Sequence, residues 1–462
     1  MDNLSKEKWD PVEWIIQSRD FASYIFQYPP MAVWEAPKSD KDISRSWEKT
    51  LEINLEAGIY IHIPFCASKC TFCRWLVVEE NSESRYWEYL RALAKEMALW
   101  SPLFKGRTIS SLYLGGGTPS ILSAEQILFL FDRLHHNFSF AKNAPVIFEA
   151  NPSSLNQDKL NVLADVGVSR LTIGVQSLDD SVIKKVRRTQ QNKSIEGVYL
   201  AARKAGIPYI NLDLMCGLPG QNSQSFFKTL KRIIAWKPDM VHISPFSPTS
   251  YTIFSQQGEG LTLNEDIKIY EIAENAAIFL RQAGYQNIRY DAMGLSNEAR
   301  NKHLEDTVVH GTPLLGLGAG AVSHATGQMR SVNIPGIKSY FATISQGLFP
   351  IFKVSHMTPQ REMISWLTNN LWYGFFSIDE FKNKFPQGMS PHIRSALTSL
   401  VDRKILVPPS AGSNIWGVAD RSPFRNHPHS PSRINIRNEL FERPILKSLE
   451  KLALKARHNH DG

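Results

Sequence analysis

From residue 58 to about 291 the sequence alternates short runs of strand-forming residues with amphipathic helical stretches, and this period restricts the fold more than any other feature. The strand candidates are residues 59–63, 110–114, 146–150, 170–175, 209–215 and 240–244, each bounded by Gly, Pro, Asn or Ser. Six βα units in strict alternation predict an α/β fold built on a parallel sheet, a partial or complete (β/α) barrel rather than a two-layer arrangement. Tyr86, Leu90, Leu93, Met97 and Trp100 recur at the spacing of one buried helix face. Ser123-Ala124-Glu125-Gln126 reads as a capping box, and helices are expected to stop at Gly167, Gly206 and Gly284.

On either side of this region the pattern changes. Residues 1–50, with Trp9, Trp14, Tyr28-Pro29-Pro30 and Trp34, read as an arm laid over a barrel of residues 51–345. Residues 346–420 read as a mainly helical, winged-helix-like module, in which Trp366, Leu367, Leu371, Ile393, Leu397 and Leu400 fall at helical spacing and are expected to be core. Residues 421–462 form a tail with nine Lys and Arg against four acids, read as a solvated surface.

Composition removes several classes of function. At 43% hydrophobic and 21% charged, the 462 residues fit a globular protein and not a fibrous or disordered one. No apolar run approaches the length of a membrane span, and the first residues carry charges of both signs without an apolar core, so the expected location is the cytoplasm. A net charge of +8 is small for a nucleic-acid binder of this size and is compatible with an acidic small-molecule substrate. Four cysteines are too few for a disulfide scaffold.

Three of those cysteines are clustered. Cys66, Cys70 and Cys73 fall at i, i+4 and i+7 in a loop just after the first strand. Such a loop can wrap three thiolates round an iron–sulfur cluster and leave one iron without a protein ligand. A structural zinc site is the alternative, with His62 as a conceivable fourth ligand. The second strand ends in Gly115-Gly116-Gly117-Thr118-Pro119, where backbone can approach a ligand closely. The next three end at Glu149-Ala150-Asn151, Gln176-Ser177 and Asp213-Leu214-Met215-Cys216-Gly217-Leu218-Pro219-Gly220. Successive strands thus deliver polar or glycine groups to the rim where parallel barrels build their sites. Glu149 and Asp213 are candidate acceptors for an ammonium or ribose hydroxyls, and Arg188 is a candidate grip on a carboxylate.

The CxxxCxxC loop with an aromatic before its last cysteine, followed by GGGTP, GVQS and GLPGQ, resembles the radical S-adenosylmethionine (SAM) superfamily. Within it the likeness is to the HemN-like, oxygen-independent coproporphyrinogen III oxidase group, over roughly residues 20–345. The resemblance implies that Cys66, Cys70 and Cys73 ligate a [4Fe–4S] cluster whose open iron chelates SAM. It further implies that Gly116 and Gly117 meet the methionine amino group, and that Tyr60, Phe72, Glu149, Gln176, Arg188 and Asp213 line the rest of that SAM. A second SAM is implied near Thr118 and the stretch around Phe246-Ser247. One-electron reduction, from a partner such as flavodoxin or ferredoxin, would cleave SAM to methionine and a 5′-deoxyadenosyl radical that oxidises a small-molecule substrate.

Three functions follow from the resemblance. The first is oxidative decarboxylation of a coproporphyrinogen III-type substrate, for which Arg74, Arg188 and Arg330 are candidate cations. The second is a HemN-like methyltransferase or cyclopropanase using the second SAM, and the third a HemW-like haem-binding protein. The chain departs from the oxidase pattern between His310 and Gly316, which is shortened, and at Cys216, where an aromatic is expected. Cys216 itself is expected to be a small buried thiol.

Overall fold

The computed structural model describes residues 28–249, 251–289, 291–410, 413–418 and Leu440. Six strands run parallel and adjacent in chain order: β1 (Glu56–Ile63), β2 (Thr108–Gly116), β3 (Val146–Ala150), β4 (Arg170–Gln176), β5 (Tyr209–Cys216) and β6 (Met240–Pro245). The expected parallel α/β sheet is therefore present, each predicted strand lying within an observed one.

Beyond β6 the sheet continues antiparallel through β7 (Gln286–Arg289) and β8 (Ala292–Gly294), with β8 next to β6. On its other side β1 pairs in parallel with β9 (Leu314–Leu317), which leads into the antiparallel strands β10 (Val322–Ala325), β11 (Met329–Asn333) and β12 (Ile351–His356). Among the described residues no pairing joins the two ends, so the sheet is a partial barrel with an antiparallel extension.

Strand parity sorts the side chains, because successive residues point to opposite faces. On β1, Ile59, Ile61 and Ile63 are fully buried in the core, whereas Tyr60 and His62 line the interior cavity. The helix Glu83–Trp100 buries Tyr86, Leu90, Leu93, Met97 and Trp100, the face its periodicity predicts. The next helix, Ala124–Asn137, starts at a capping box in which Ser123 accepts from the Gln126 amide and Gln126 accepts from that of Ser123. Gly167 and Gly206 follow their helices with φ of +83° and +88°, conformations that cost glycine least.

The described part of the arm lies along β12, with Glu35 bridged to Val354, and continues into the helix Asp40–Ile53. Trp47 of that helix packs edge-on against Trp100, ring centres 5.8 Å apart. Trp9, Trp14 and the basic tail, Leu440 apart, lie outside the described residues. Toward the carboxyl end, helices Pro359–Tyr373, Ile378–Lys384 and Pro391–Asp402 surround a three-stranded antiparallel sheet of Phe375–Ser377, Ile415–Val418 and Leu406–Val407. Trp366, Leu367, Leu371, Ile393, Leu397 and Leu400 form its core, and Tyr28 joins them. Asn370 and Lys384 donate to the carbonyls of Val309 and His310, fastening this module to the π-helical segment Glu305–His310.

No helix among the described residues is long and apolar enough to cross a membrane.

Candidate active site

The carboxyl ends of β1 to β6 open into a cavity of about 690 Å³, and twelve of the residues singled out from the sequence line it: Cys66, Cys70 and Cys73 from the loop after β1, Gly116, Gly117 and Thr118 after β2, and Tyr60, Phe72, Glu149, Gln176, Arg188 and Asp213 around them. They come from separate strands because a parallel sheet places every strand's carboxyl end on the same rim.

The cysteine loop is fastened at several points. Its thiols are all free. The Cys66 sulfur lies 3.2 Å from the Thr118 hydroxyl, and Arg188 Nη1 donates toward the Cys70 sulfur at 3.7 Å. Arg188 is itself fixed, with Nη2 donating to the Gly174 carbonyl and Nε to Gln190 at 2.5 Å. Burial pushes the Cys66 thiol up, to about 12, against the Thr118 bond, and burial raises Cys73 as well. Burial thus favours the protonated form of Cys66 and Cys73, and a ligand that binds thiolates must displace those protons. Among the described residues no three His, Cys, Asp or Glu side chains converge on one metal-ion position. A cubane cluster distributes its thiolates over separate irons, and three thiols opening on one cavity beside a guanidinium suit it as a donor set.

The glycines are sterically required. A Cβ on Gly117 would come within 2.6 Å of the Phe65 carbonyl oxygen and 2.8 Å of the Pro64 backbone, and one on Gly116, at φ +113°, within 2.6 Å of the His62 ring. His62 Nδ1 is 2.9 Å from the Tyr60 hydroxyl, and burial pushes its pKa down to about 4, leaving it neutral. At Gly174 a Cβ would meet Gln176 Nε2 at 2.9 Å and Arg188 Nη2 at 3.2 Å, so the missing side chain is what lets both reach the rim. Gln176 has φ +64°, where β4 shifts register against β5, a strained conformation for a residue with a Cβ and one typical of functional positions.

Deeper in the cavity, Glu149 accepts from the Tyr113 hydroxyl at 2.6 Å and from the Gly116 amide at 3.3 Å. Burial raises its pKa to about 7, opposed by the Tyr113 bond and reinforced by Asp213. Asp213 accepts from Asn211 at 2.7 Å and meets His242 Nδ1 at 3.3 Å, while His242 Nε2 meets Asp291 at 2.9 Å. Burial works against a charge on His242, yet Asp291 and Asp213 together hold its pKa up, to about 10. Burial likewise opposes ionisation of Asp291, and Arg289 and His242 nonetheless keep it well below the usual carboxylate range.

The sequence reading missed Tyr113, His242, Arg289, Asp291 and His303, all of which line the cavity. Tyr113 and His242 were within reach of strand parity, since they share the inward phase of Gly115 and of Ser244. Arg289, Asp291 and His303 follow the sixth parallel strand, where the βα period gives no guide.

Arg330 is a correction. It does not line the cavity: it is 7% exposed on β11, donates from Nη2 to Ser365 at 2.7 Å, and lies near Glu362 under the helix Pro359–Tyr373. The antiparallel extension carries it away from the rim. Arg74 does line the cavity. Ser247 reaches it too, whereas Phe246 is buried against Phe254. Cys216 is fully buried, and burial pushes its thiol up to about 12, the inert state expected.

Residues 60–233 match the Radical SAM superfamily. The chain carries a radical SAM domain. Over 301 residues it is 32% identical to the oxygen-independent coproporphyrinogen III oxidase of Escherichia coli K12, covering 63% of this chain and 65% of that protein, just under two thirds of its length. It is 27% identical over 364 residues to the heme chaperone HemW of Bacillus subtilis, covering 75% of this chain and 92% of HemW. The solved structure of the Escherichia coli coproporphyrinogen III oxidase HemN superposes with a TM-score of 0.73 at 24% identity, covering 90% of this chain and 96% of that one, which shows the shared fold. The radical SAM domain thus has HemN-like relatives, and those named as oxidases support its reading as an enzyme of oxidoreductase type. The match of residues 60–233 to the superfamily implies SAM and a [4Fe–4S] cluster as cofactors.

Proposed function

We propose that this protein is a HemN-like radical SAM enzyme that oxidatively decarboxylates a coproporphyrinogen III-type substrate. The observation that carries this reading is the convergence of Cys66, Cys70, Cys73, Gly116, Gly117 and Glu149 with five further candidates and Thr118 on one cavity, in a chain whose relatives include coproporphyrinogen III oxidases.

Cys66, Cys70 and Cys73 hold the cluster in this reading. When bound and reduced, the cluster supplies the electron that cleaves SAM to methionine and a 5′-deoxyadenosyl radical. The chain's own residues bind and orient. The strand-end backbone around Gly116 and Gly117 receives the amino end of SAM, and Glu149 sits within hydrogen-bond reach of that backbone to balance the ammonium charge. Tyr60, Gln176 and Asp213 offer hydroxyl, amide and carboxylate partners for the nucleoside, and Phe72 adds an apolar wall beside the cysteines. Arg188 sets positive charge beside Cys70, where the SAM carboxylate would also lie. Thr118 and Ser247, which both line the cavity, are the proposed contacts of a second SAM, and Lys69 and Arg74 at the same cavity suit a substrate carrying carboxylates. A flavodoxin or ferredoxin is the proposed reductant.

A second reading is favoured by coverage: the match to HemW takes in 92% of that protein's length. Haem binding without SAM cleavage is what it requires. Anaerobic incubation of the reconstituted protein with SAM, dithionite and coproporphyrinogen III separates the readings. 5′-Deoxyadenosine together with loss of carbon dioxide from the tetrapyrrole supports the oxidase. No 5′-deoxyadenosine there, together with stoichiometric binding in a parallel titration with haem, supports the HemW-like reading, and S-adenosylhomocysteine among the products would indicate methyl transfer.

A further inference from the structure

One wall of the cavity carries a connected run of charged side chains, Asp213, His242, Asp291 and Arg289. The strand register builds it. Asp213 on β5 lies opposite His242 on β6, and His242 lies opposite Ala292 on β8, so the ladder itself sets the imidazole between the carboxylates of Asp213 and Asp291. His242 Nδ1 is 3.3 Å from Asp213 Oδ1, Nε2 is 2.9 Å from Asp291 Oδ2, and Arg289 Nε donates to Asp291 Oδ1 at 2.5 Å. Asn211 donates to the same Oδ1 of Asp213 at 2.7 Å. Both partners of Asp213 among the described residues therefore occupy one oxygen, and Oδ2 is left to the cavity that Asp213 lines.

A carboxylate with one oxygen clamped and the other open is a fixed acceptor, suited to a pair of neighbouring hydroxyls. We propose that His242 is a positioning residue: tethered to Asp291, it clamps the Asp213 carboxylate so that the open oxygen accepts hydrogen bonds from the ribose hydroxyls of SAM. The inference rests on the SAM reading above. Its physical reason is that Glu149, Asp213 and Asp291 share one enclosed space. Without a cation bridging two of them, mutual repulsion would push Asp213 out of this orientation, with the Asn211 bond alone left to hold it. Outer partners that orient metal-binding side chains typically govern affinity by about ten- to a hundred-fold, and a hydrogen-bonding carboxylate is oriented in the same way.

The test is equilibrium dialysis of cluster-reconstituted protein, under anaerobic conditions, with SAM and with its 2′,3′-dideoxy analogue. His242→Ala is expected to weaken SAM binding by about tenfold while changing affinity for the dideoxy analogue by less than about twofold. Asp291→Asn is expected to give the same ribose-dependent pattern, smaller in size. Iron content and far-ultraviolet circular dichroism should match the wild type. Should alanine disturb the fold, His242→Gln keeps the volume and one hydrogen bond but not the charge, and the same selective loss is expected. Equal losses for both ligands, or no loss for SAM, would overturn the positioning role while leaving the SAM reading intact. A wild-type protein that binds iron but no SAM would overturn that reading and this one together.

Discussion

Glu149 holds the amide of Gly116: its Oε2 lies 3.3 Å from the nitrogen, and its Oε1 takes a 2.6 Å hydrogen bond from Tyr113. One side chain thus joins β3 to the glycine-rich end of β2 and presents negative charge where an ammonium is proposed to sit. Glu149→Gln is expected to weaken SAM binding at least about tenfold, or ~1.4 kcal/mol, with iron content unchanged. Affinity measured on cluster-loaded protein checks this.

The same carboxyl gives a pH dependence with a definite sign. Its pKa in the fold, about 7, lies above the ordinary 4.5, so its contribution to stability is complete below about 4.5 and is lost as pH rises through about 7. Measured against Glu149→Gln, the unliganded protein should therefore lose thermal stability between pH 5 and 8. SAM affinity should run the opposite way, rising across pH 6 to 8 as the carboxylate forms, and this rise should vanish in the variant.

Cysteine identity separates cluster ligands from core. Replacing Cys66, Cys70 or Cys73 with Ser is expected to abolish iron retention and the visible absorbance of the reconstituted protein. Cys216→Ser should leave both intact, because that thiol is fully buried and does not line the cavity that the other three share. Iron analysis of the four variants provides the comparison.

Two glycines of the same chemistry should respond oppositely to alanine. At Gly117 a Cβ would collide with the Pro64 and Phe65 main chain, so Gly117→Ala should displace the cysteine loop and lower both iron content and SAM affinity. Gly197 lies in the helix Asn192–Lys204 with nothing within 4 Å of its added Cβ, and Gly197→Ala should stabilise by about 0.5–1 kcal/mol. Thermal denaturation and iron analysis read out both.

Glu96 carries a different burden. Fully buried, it accepts from the Gly318 amide at 2.7 Å, Asn333 at 2.7 Å and Tyr340 at 2.6 Å, tying the helix Glu83–Trp100 to the turn after β9. Glu96→Ala strands three donors and is expected to destabilise by about 3 kcal/mol or more, whereas Glu96→Gln should cost less. Denaturation midpoints of the two variants decide this.

The sequence discloses what local pattern encodes. The six parallel strands repeat a βα period, so their parity and carboxyl ends could be read directly, and with them every residue of the cysteine loop and the glycine-rich rim. Arg330 and His242 show where that reading stops. Arg330 belongs to an antiparallel extension whose direction no period announces, and its partner Ser365 lies 35 residues on. His242 becomes significant only once β5 and β6 are placed in register, 29 residues apart, with Asp291 brought to its far side. Strand parity made the inward face visible, while the electrostatic partnerships across it depend on tertiary assembly.

The most direct test is the anaerobic reaction with SAM, dithionite and coproporphyrinogen III, followed by mass spectrometry of nucleosides and tetrapyrroles. This account predicts 5′-deoxyadenosine and a tetrapyrrole that has lost carbon dioxide, both absent from the Cys70→Ser variant. A fully iron-loaded wild-type protein that forms no 5′-deoxyadenosine would contradict it.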